Sequence, residues 1–318
     1  MARMLVADAH VDVLMKLAEG RVAFLEDSPN LRANYHSLRE GGVAAQVFAL
    51  YVDPSLDSYT QLAVVLRQID AFYQQVAILA DVRAVRSKED LRVARQQGQM
   101  AAILSLEGGG CLRGSVEILR ILYRLGVRGV GLTWNDANEL ADGCGELRGA
   151  GLTRAGRDVL REMQHLSMWI DLAHLHDSGV RDVLRLTDGP VMASHANARA
   201  VHPHRRNLTD DVIREIIRRD GWLGLTFQPS FVGRDPVGID DVFRHLDHVL
   251  DLGGHRHVGF GSDFDGTSAD IPGLAASRDY RAFAERLCDR YGQDLAQAFL
   301  FGNFEAFLMR QLPATSPL

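Results

Sequence analysis

The sequence predicts a (β/α)8 barrel, the TIM-barrel fold, with further helices at the carboxyl end of the chain. Eight short apolar segments recur along the chain, and segments with the periodicity of an α-helix separate them. The apolar segments are nearly continuous, which is typical of strands buried on both faces of a parallel sheet. The length of 318 residues fits one large barrel, so we expect a single domain over residues 1–318.

The predicted elements alternate along the chain. The strands cover residues 5–13, 43–52, 101–107, 127–134, 167–174, 190–195, 222–228 and 257–263. Helices are expected over residues 59–80, from residue 87, over 115–125, 153–165, 177–186, 209–218 and 239–252, and twice in the tail from about residue 279. Ser87 and Thr153 stand where N-cap residues begin helices. An open doubly wound sheet is the alternative, but Gly108-Gly109-Gly110 matches its G-x-G-x-x-G turn poorly.

Composition and charge argue against several classes of function. The net charge of −6 and the pI near 6.0 give no reason to expect binding to nucleic acid or to an anionic membrane. We expect no membrane span, because no apolar run reaches about 18 residues, and the first strand begins without a signal-peptide pattern. Cys111, Cys144 and Cys288 are scattered, which is typical of a reducing compartment, so we expect a cytoplasmic protein.

The first predicted strand carries polar residues inside an apolar run. Asp8, His10 and Asp12 are spaced two apart, so in a β-strand they face one side. Buried carboxylates are costly without compensation, and a metal ion is a common one. His10 and Asp12 are therefore candidate metal ligands. Hydrogen bonds between these side chains and loop backbone are the alternative.

Further residues of metal-ligand type stand where other predicted strands end. The third, fifth, sixth and eighth strands end at Glu107, His174, His195 and Asp263. Active sites of such barrels lie at the carboxyl ends of the strands, so we expect these side chains and those of the first strand at one rim. A lone histidine at a strand end is more often a hydrogen-bonded core residue. Several histidines and carboxylates together at the carboxyl ends of the strands, however, predict a metal site.

The number of ligands indicates two divalent ions, because one catalytic zinc keeps about three protein ligands and an open position. A carboxylated lysine could bridge two ions in a barrel of this kind. Neither Lys16 nor Lys88 is at a strand end, so Glu107 is the expected bridge. One ion is then assigned to His10, Asp12 and Glu107, and the other to Glu107, His174 and His195.

The expected chemistry is hydrolysis. Two ions would hold a bridging water and lower its pKa to about 7, and the hydroxide would attack a carbonyl. Asp263 is left to take the proton from the nucleophile and return it to the leaving amine. Arg206 could bind a substrate carboxylate bidentately, with a solvated basic turn as the alternative. Trp134, at the end of the fourth strand, would line the pocket or simply pack.

With these residues in place, the sequence resembles the membrane dipeptidase (renal dipeptidase) family, the M19 metallopeptidases of the amidohydrolase superfamily. The resemblance covers nearly the whole chain. It rests on DAHVD (8–12), LEGGG (106–110), LTWN (132–135), DLAH (171–174), SHANARAV (194–201), RRNLTDD (205–211), HVGFGSDFDG (257–266) and GNF (302–304). HVGFGSDFDG and RRNLTDD in this order are specific, whereas the HxD pattern alone is not.

The resemblance implies a binuclear zinc barrel of the metal-dependent hydrolase type that hydrolyses dipeptides. The implied zinc ligands coincide with those assigned above, with Glu107 as the bridge. Asp263 matches the family's acid/base aspartate, and Arg206 matches the arginine that binds the C-terminal carboxylate of the substrate. Trp134 and Asn135 are expected substrate contacts. Gly110 and Trp134 replace histidines of the mammalian members, and the second replacement bears on substrate preference.

We therefore expect a cytoplasmic dipeptidase acting on short L-Xaa-L/D-Yaa dipeptides, in a family that often forms homodimers. Two alternatives stay open. One is another metal hydrolase on the same barrel, acting on a cyclic amide, a lactone or a phosphoester. The other is a non-catalytic metal-binding barrel. Arg206 argues for a substrate with a carboxylate, and Asp263 argues for catalysis.

Overall fold

The computed structural model describes residues 4–315 and shows a parallel barrel surrounded by helices. Its strands are β1 (Val6–Val11), β2 (Val43–Tyr51), β3 (Val82–Ala84), β4 (Met100–Glu107), β5 (Val127–Gly131), β6 (Trp169–Asp171), β7 (Met192–Ala193), β8 (Trp222–Leu225) and β9 (Val258–Phe260). Its α-helices are α1 (Val13–Ala18), α2 (Tyr35–Gly41), α3 (Ser58–Ala71), α4 (Lys88–Gln97), α5 (Val116–Arg124), α6 (Arg154–His165), α7 (Asp177–Leu186), α8 (Asp210–Arg218), α9 (Pro229–Val232), α10 (Ile239–Asp251), α11 (Tyr280–Tyr291), α12 (Gln293–Gln297) and α13 (Asn303–Gln311).

Eight of these strands close a ring and confirm the predicted (β/α)8 barrel. Neighbours follow the order β1, β2, β4, β5, β6, β7, β8, β9, and β9 pairs with β1 through Phe260 and Asp8. The pairing of β2 with β4 runs from Ala45 with Ala101 to the last residues of both strands. Every pairing in the ring is parallel, so all strands end at the same rim. The alternative of an open doubly wound sheet is wrong.

Some elements differ from the prediction. β3 and α2 were not predicted, and β3 lies outside the ring, paired with the first residues of β4 before β5 joins at Leu104. The helix expected over residues 59–80 ends as α3 at Ala71 and continues as a π-helical turn over Phe72–Val76. β6 and β7 are only three and two residues long, because the residues after them leave the sheet to form rim loops.

Two predicted helix starts are confirmed by side-chain caps. Ser87 Oγ accepts a hydrogen bond from the backbone N–H of Asp90 at 3.2 Å, at the start of α4. Thr153 Oγ1 accepts one from Gly156 N–H at 3.0 Å, at the start of α6. Each bond satisfies a backbone donor that the first turn of a helix leaves free. Local sequence therefore sets both helix boundaries.

Packed side chains close the amino-terminal end of the barrel. Small residues of β1, β2 and β4 form one buried cluster with Trp169, Trp222, and Phe304 and Phe307 of α13. Gly129 of β5 makes room for the indole of Trp169, since a Cβ there would lie 1.8 Å from Nε1. Because this end is filled, a site is expected at the opposite rim, where the strands end.

Within residues 4–315, no helix combines the length and the apolar character that crossing a bilayer requires. Cys111, Cys144 and Cys288 are free thiols. The prediction of one domain over residues 1–318 includes residues 1–3 and 316–318, which lie outside the described residues, and it stays a prediction.

Candidate metal centre

Six polar side chains meet at the carboxyl-terminal rim of the barrel. They follow or end β1, β4, β6, β7 and β9, and they are His10, Asp12, Glu107, His174, His195 and Asp263. His174 and Asp263 both have a left-handed backbone with φ of 66°. Residues other than glycine rarely adopt this conformation, and it is concentrated at functional sites. The structure thus brings together all the predicted metal ligands and the predicted acid/base residue.

Glu107, the last residue of β4, lies between three imidazoles. Its Oε1 is 2.9 Å from His174 Nε2 and 3.5 Å from His195 Nε2. Its Oε2 is 3.5 Å from His10 Nε2. The Nε2 atoms of His174 and His195 are 2.9 Å apart. One carboxylate therefore faces nitrogen atoms from β1 and from the loops after β6 and β7, which is the position that a bridging ligand requires.

In His174 and His195, Nε2 faces Glu107 and Nδ1 has a polar neighbour of its own. His174 Nδ1 lies 2.8 Å from Asn135 Oδ1, which only accepts hydrogen bonds, so Nδ1 carries the proton and Nε2 presents a lone pair. His195 Nδ1 lies 2.7 Å from Ser194 Oγ. Burial lowers the pKa of His174 to about 4 and that of His195 well below its ordinary value. Both rings are therefore neutral at neutral pH, the form that binds metals.

This arrangement fits divalent cations. The lone pair of His174 Nε2 faces the Glu107 carboxylate, which also only accepts hydrogen bonds, and His195 Nε2 lies 2.9 Å from the same nitrogen. His10 Nε2 and Asp12 Oδ1 are buried without a hydrogen-bond partner in the described part of the chain. Imidazole and carboxylate groups are the usual ligands of zinc and similar ions. A cation among these atoms would replace repulsive contacts with coordinate bonds.

The donor atoms form two groups of three, each within 4.8 Å. The groups are His10, Glu107 and His195, and His10, Asp12 and Asp263. His10 stands in both, and its ring lies 3.8 Å from that of His195 between centroids. This differs from the grouping expected from the sequence, in which these two histidines hold different ions. The assignment of ligands to individual ions stays a prediction.

Asp263 has the electrostatic environment of an acid/base group. Burial and the negative charge of Asp12 raise the pKa of Asp263 well above its ordinary range. A carboxyl that takes up and returns a proton near neutral pH needs such a raised pKa. The proton-transfer role is consistent with this surrounding and stays a prediction.

Two buried aspartates hold the loops that carry the ligands. Asp8 Oδ1 accepts a hydrogen bond from Ser262 N–H at 2.9 Å, so Asp8 is not part of the donor cluster. Asp171 Oδ1 accepts hydrogen bonds from Ser194 N–H at 2.9 Å and Ala173 N–H at 3.0 Å. Each serine directly precedes a residue of the cluster. Sequence reasoning missed the hydrogen-bonding roles of Asp8 and Asp171. The serine that directly precedes a rim residue in two separate loops is the sequence feature that could have indicated them.

Gly266 is a second feature that sequence reasoning missed. A Cβ at this position would lie 2.1 Å from Asp12 Oδ2 and 2.7 Å from Asp263 Oδ1. Only glycine therefore lets this backbone approach both carboxylates. The sequence feature that could have indicated this role is the position of Gly266, three residues after Asp263 in HVGFGSDFDG.

The three predicted substrate contacts occupy different places on the rim. Arg206 is buried, its Nη2 donates to the carbonyl oxygen of His195 at 3.0 Å, and its Nε has no hydrogen-bond partner in the described chain. The ring of Trp134 stacks on that of His174, 5.8 Å between centroids. Asn135 contacts His174 Nδ1, so the structure shows it as a positioning residue. Contact of these three with a substrate stays a prediction.

The closed ring and the histidine and carboxylate donors at its carboxyl-terminal rim define a (β/α)8 barrel of the metal-dependent hydrolase type. Comparison with known families is more specific. The family model of the membrane dipeptidases, peptidase family M19, matches residues 1–310. The chain belongs to this family, which confirms the resemblance seen in the sequence.

Individual relatives agree with this membership. Dipeptidase aclJ of Aspergillus oryzae is 32% identical over 277 residues, which cover 81% of this chain and 65% of the relative. Human dipeptidase 3 is 30% identical over 310 residues, which cover 93% of this chain and 63% of the relative. The chain thus spans slightly less than two thirds of the length of these curated relatives.

Solved structures show the same architecture over nearly the whole chain. A dipeptidase described as an M19 metallopeptidase superposes with a TM-score of 0.90 at 28% identity, covering 98% of this chain and 100% of that chain. A metallopeptidase from Rhodobacter sphaeroides, solved with a phosphinate mimic of L-Ala-D-Ala, superposes with a TM-score of 0.90 at 27% identity, covering 98% and 99%.

Proposed function

We propose that this protein is a binuclear zinc dipeptidase that cleaves the peptide bond of dipeptides with a free carboxyl terminus. One observation carries the proposal: the Glu107 carboxylate lies within 3.5 Å of the Nε2 atoms of His10, His174 and His195, which come from β1 and from the loops after β6 and β7. The similar metallopeptidase solved with a dipeptide mimic supports the choice of substrate.

The rim residues would hold two ions. His10 and Asp12 would hold one, His174 and His195 the other, and Glu107 both. Bound divalent ions would supply Lewis acidity and lower the pKa of a water molecule toward neutrality. Measurement of the zinc bound per chain tests the number and identity of the ions, with two expected.

Arg206 would bind the C-terminal carboxylate of the substrate. Its guanidinium is buried and held by the carbonyl of His195, while its Nε stays unpartnered within residues 4–315. A planar guanidinium fixed in this way matches a carboxylate bidentately. This contact would orient the scissile bond over the metal centre.

Asp263 would move the proton. Its carboxyl, with a pKa raised by burial and by Asp12, would accept a proton from the attacking water and donate it to the leaving amine. Gly266 keeps the backbone close to this carboxyl, and the loop is held by the hydrogen bond between Ser262 and Asp8.

The proposal is tested with purified, zinc-loaded protein and the dipeptides L-Ala-L-Ala and L-Ala-D-Ala. We expect cleavage of a dipeptide by the wild type. Arg206→Ala should raise KM about 10- to 100-fold, because a charge-assisted hydrogen-bonding group is lost. Arg205→Ala is the matched control, because the guanidinium of Arg205 is exposed and donates to the carbonyl oxygen of Gly145. Asp263→Asn should lower kcat about 100- to 10,000-fold with zinc retained.

Other outcomes would support the alternatives. Turnover of a lactone, cyclic amide or phosphoester, without cleavage of dipeptides and without an effect of Arg206→Ala, indicates a different metal hydrolase. Zinc binding without turnover of any of these indicates a non-catalytic barrel. Full activity of Asp263→Asn would contradict its role in proton transfer.

A cytoplasmic location and a homodimer are also proposed. The free thiols of Cys111, Cys144 and Cys288 support the location, because such thiols are typical of a reducing compartment. Cell fractionation tests the location, and light scattering on the purified protein measures the oligomeric state.

A further inference from the structure

An open cavity of about 430 Å³ lies beside the candidate metal centre. Its walls come from the loops after β2, β4 and β5 and include Val52, Pro54, Ser58, Gly108, Trp134 and Asp136. Gly108 directly follows the predicted bridging residue Glu107, and Trp134 stacks on His174. One wall residue of the cavity, Trp134, therefore also contacts the candidate metal centre. The volume of the cavity lies within the range of about 300–1,000 Å³ that is typical of ligand pockets.

The charged groups of this cavity are all acidic. Asp136 and Glu139, both exposed and in the loop after β5, line it. No lysine, arginine or histidine of the described chain belongs to its lining. Carboxylates grouped in a cleft without cations produce a negative potential that attracts cations.

The rim is therefore polarised across the metal centre. The cavity belongs to the β2, β4 and β5 side of the ring, whereas Arg206 stands in the loop after β7, and His174 of the β6 loop lies between them. If Arg206 binds the C-terminal carboxylate as proposed, the amino-terminal residue of a dipeptide that crosses the metal centre would point toward the cavity. The charges of the rim complement a substrate that is negative at its carboxyl end and positive at its amino-terminal residue.

We propose that this cavity binds the side chain of the substrate's amino-terminal residue and favours a cationic one, lysine or arginine. The inference rests on the proposed dipeptidase function and names the substrate class of the same site. The aliphatic stem of such a side chain would pack along Trp134, Val52 and Pro54. Its cationic end would reach the carboxylates of Asp136 and Glu139.

The test compares Lys-Ala with norleucyl-Ala, which has the same aliphatic stem without the charge, on the zinc-loaded protein. We expect kcat/KM to be about four- to 25-fold higher for Lys-Ala, since each of the two exposed carboxylates contributes about two- to fivefold. The double variant Asp136→Asn/Glu139→Gln should bring this ratio close to one. Asp211→Asn removes a carboxylate that is 97% exposed at the start of α8 and serves as the matched control, with the ratio retained.

Three results would overturn the inference. Equal kcat/KM for the two dipeptides in the wild type shows that the cavity does not select a cation. An equal loss for both dipeptides in the double variant shows that the carboxylates act on the α-ammonium group, which the two substrates share. Cleavage of neither dipeptide, nor of L-Ala-L-Ala or L-Ala-D-Ala, overturns the proposed function itself, so the two failures are distinguishable.

Discussion

Replacing Gly266 with alanine should disable the metal centre while the barrel stays folded. The new Cβ would lie 2.1 Å from Asp12 Oδ2, and ordinary van der Waals contact begins at 3.4 Å. The distance from the loop backbone would have to grow by about 1.3 Å for the Asp12 carboxylate and by about 0.7 Å for the Asp263 carboxylate. A misplacement of about 1 Å in a catalytic site can cost about 100-fold in rate. Disturbed ligand surroundings typically cost about 10- to 100-fold in metal affinity.

Two measurements check this expectation. Calorimetric zinc titration should show a Kd raised about 10- to 100-fold for Gly266→Ala, and kcat/KM for a cleaved dipeptide should fall about 100-fold. Circular dichroism should show an unchanged fold. Gly189→Ala is the matched control, because a Cβ at that position meets nothing within 4 Å. A Gly266→Ala protein with wild-type zinc affinity and rate would refute the steric reasoning.

Three further predictions concern stability and metal binding. Asp171→Ala leaves the buried N–H groups of Ser194 and Ala173 unsatisfied, which costs about 1–3 kcal/mol each. It should therefore weaken zinc binding, and Asp171→Asn should restore part of the affinity. Equal zinc affinity in the wild type and both variants would contradict this. Removal of the ions with a chelator should lower Tm, since a metal ion at a concentration about one hundred times its Kd adds about 2.7 kcal/mol to the free energy of unfolding. An unchanged Tm would argue against metal at the rim. Hydrogen bonds from Arg218 and Arg219 lower the pKa of Glu215 from 4.5 to about 2, so its stabilising effect is present above pH 4.5 and is lost as pH falls toward 2. Glu215→Gln should therefore unfold at lower temperature than the wild type at pH 7, with a smaller difference below pH 4.5, and identical melting at pH 7 would show that the pairing contributes nothing.

The ring strands could be predicted because each is a nearly continuous apolar run, as strands buried on both faces are. β3 could not be predicted, because Val82–Ala84 is short, only partly buried and contains no continuous apolar run. The lengths of β6 and β7 were overestimated for a related reason. The apolar segment continues past the last ladder hydrogen bond into the loop that carries His174 or His195.

The members of the candidate metal centre could be predicted because the rule for strand ends needs only residue type and order along the chain. The residues that position the site could not be predicted in this way, because their roles depend on distances between strands that are far apart in the sequence. The bond between Ser262 and Asp8 joins residues 254 positions apart, and the clash that excludes a side chain at Gly266 involves Asp12 on another strand. Asn135 was expected to contact substrate, and nothing in LTWN indicates that its amide oxygen meets a histidine ring.

The closure of β1 against β9 has a consequence for synthesis of the chain. β1 is made before the other strands of the ring, yet one of its two neighbours is the last of these strands to be made. His10 and Asp12 are thus made about 250 residues before Asp263, which lies beside them in the folded barrel. A nascent chain arrested before residue 257 should hold zinc no better than an unfolded peptide. Ion uptake would then follow the synthesis of β9 and the closure of the ring.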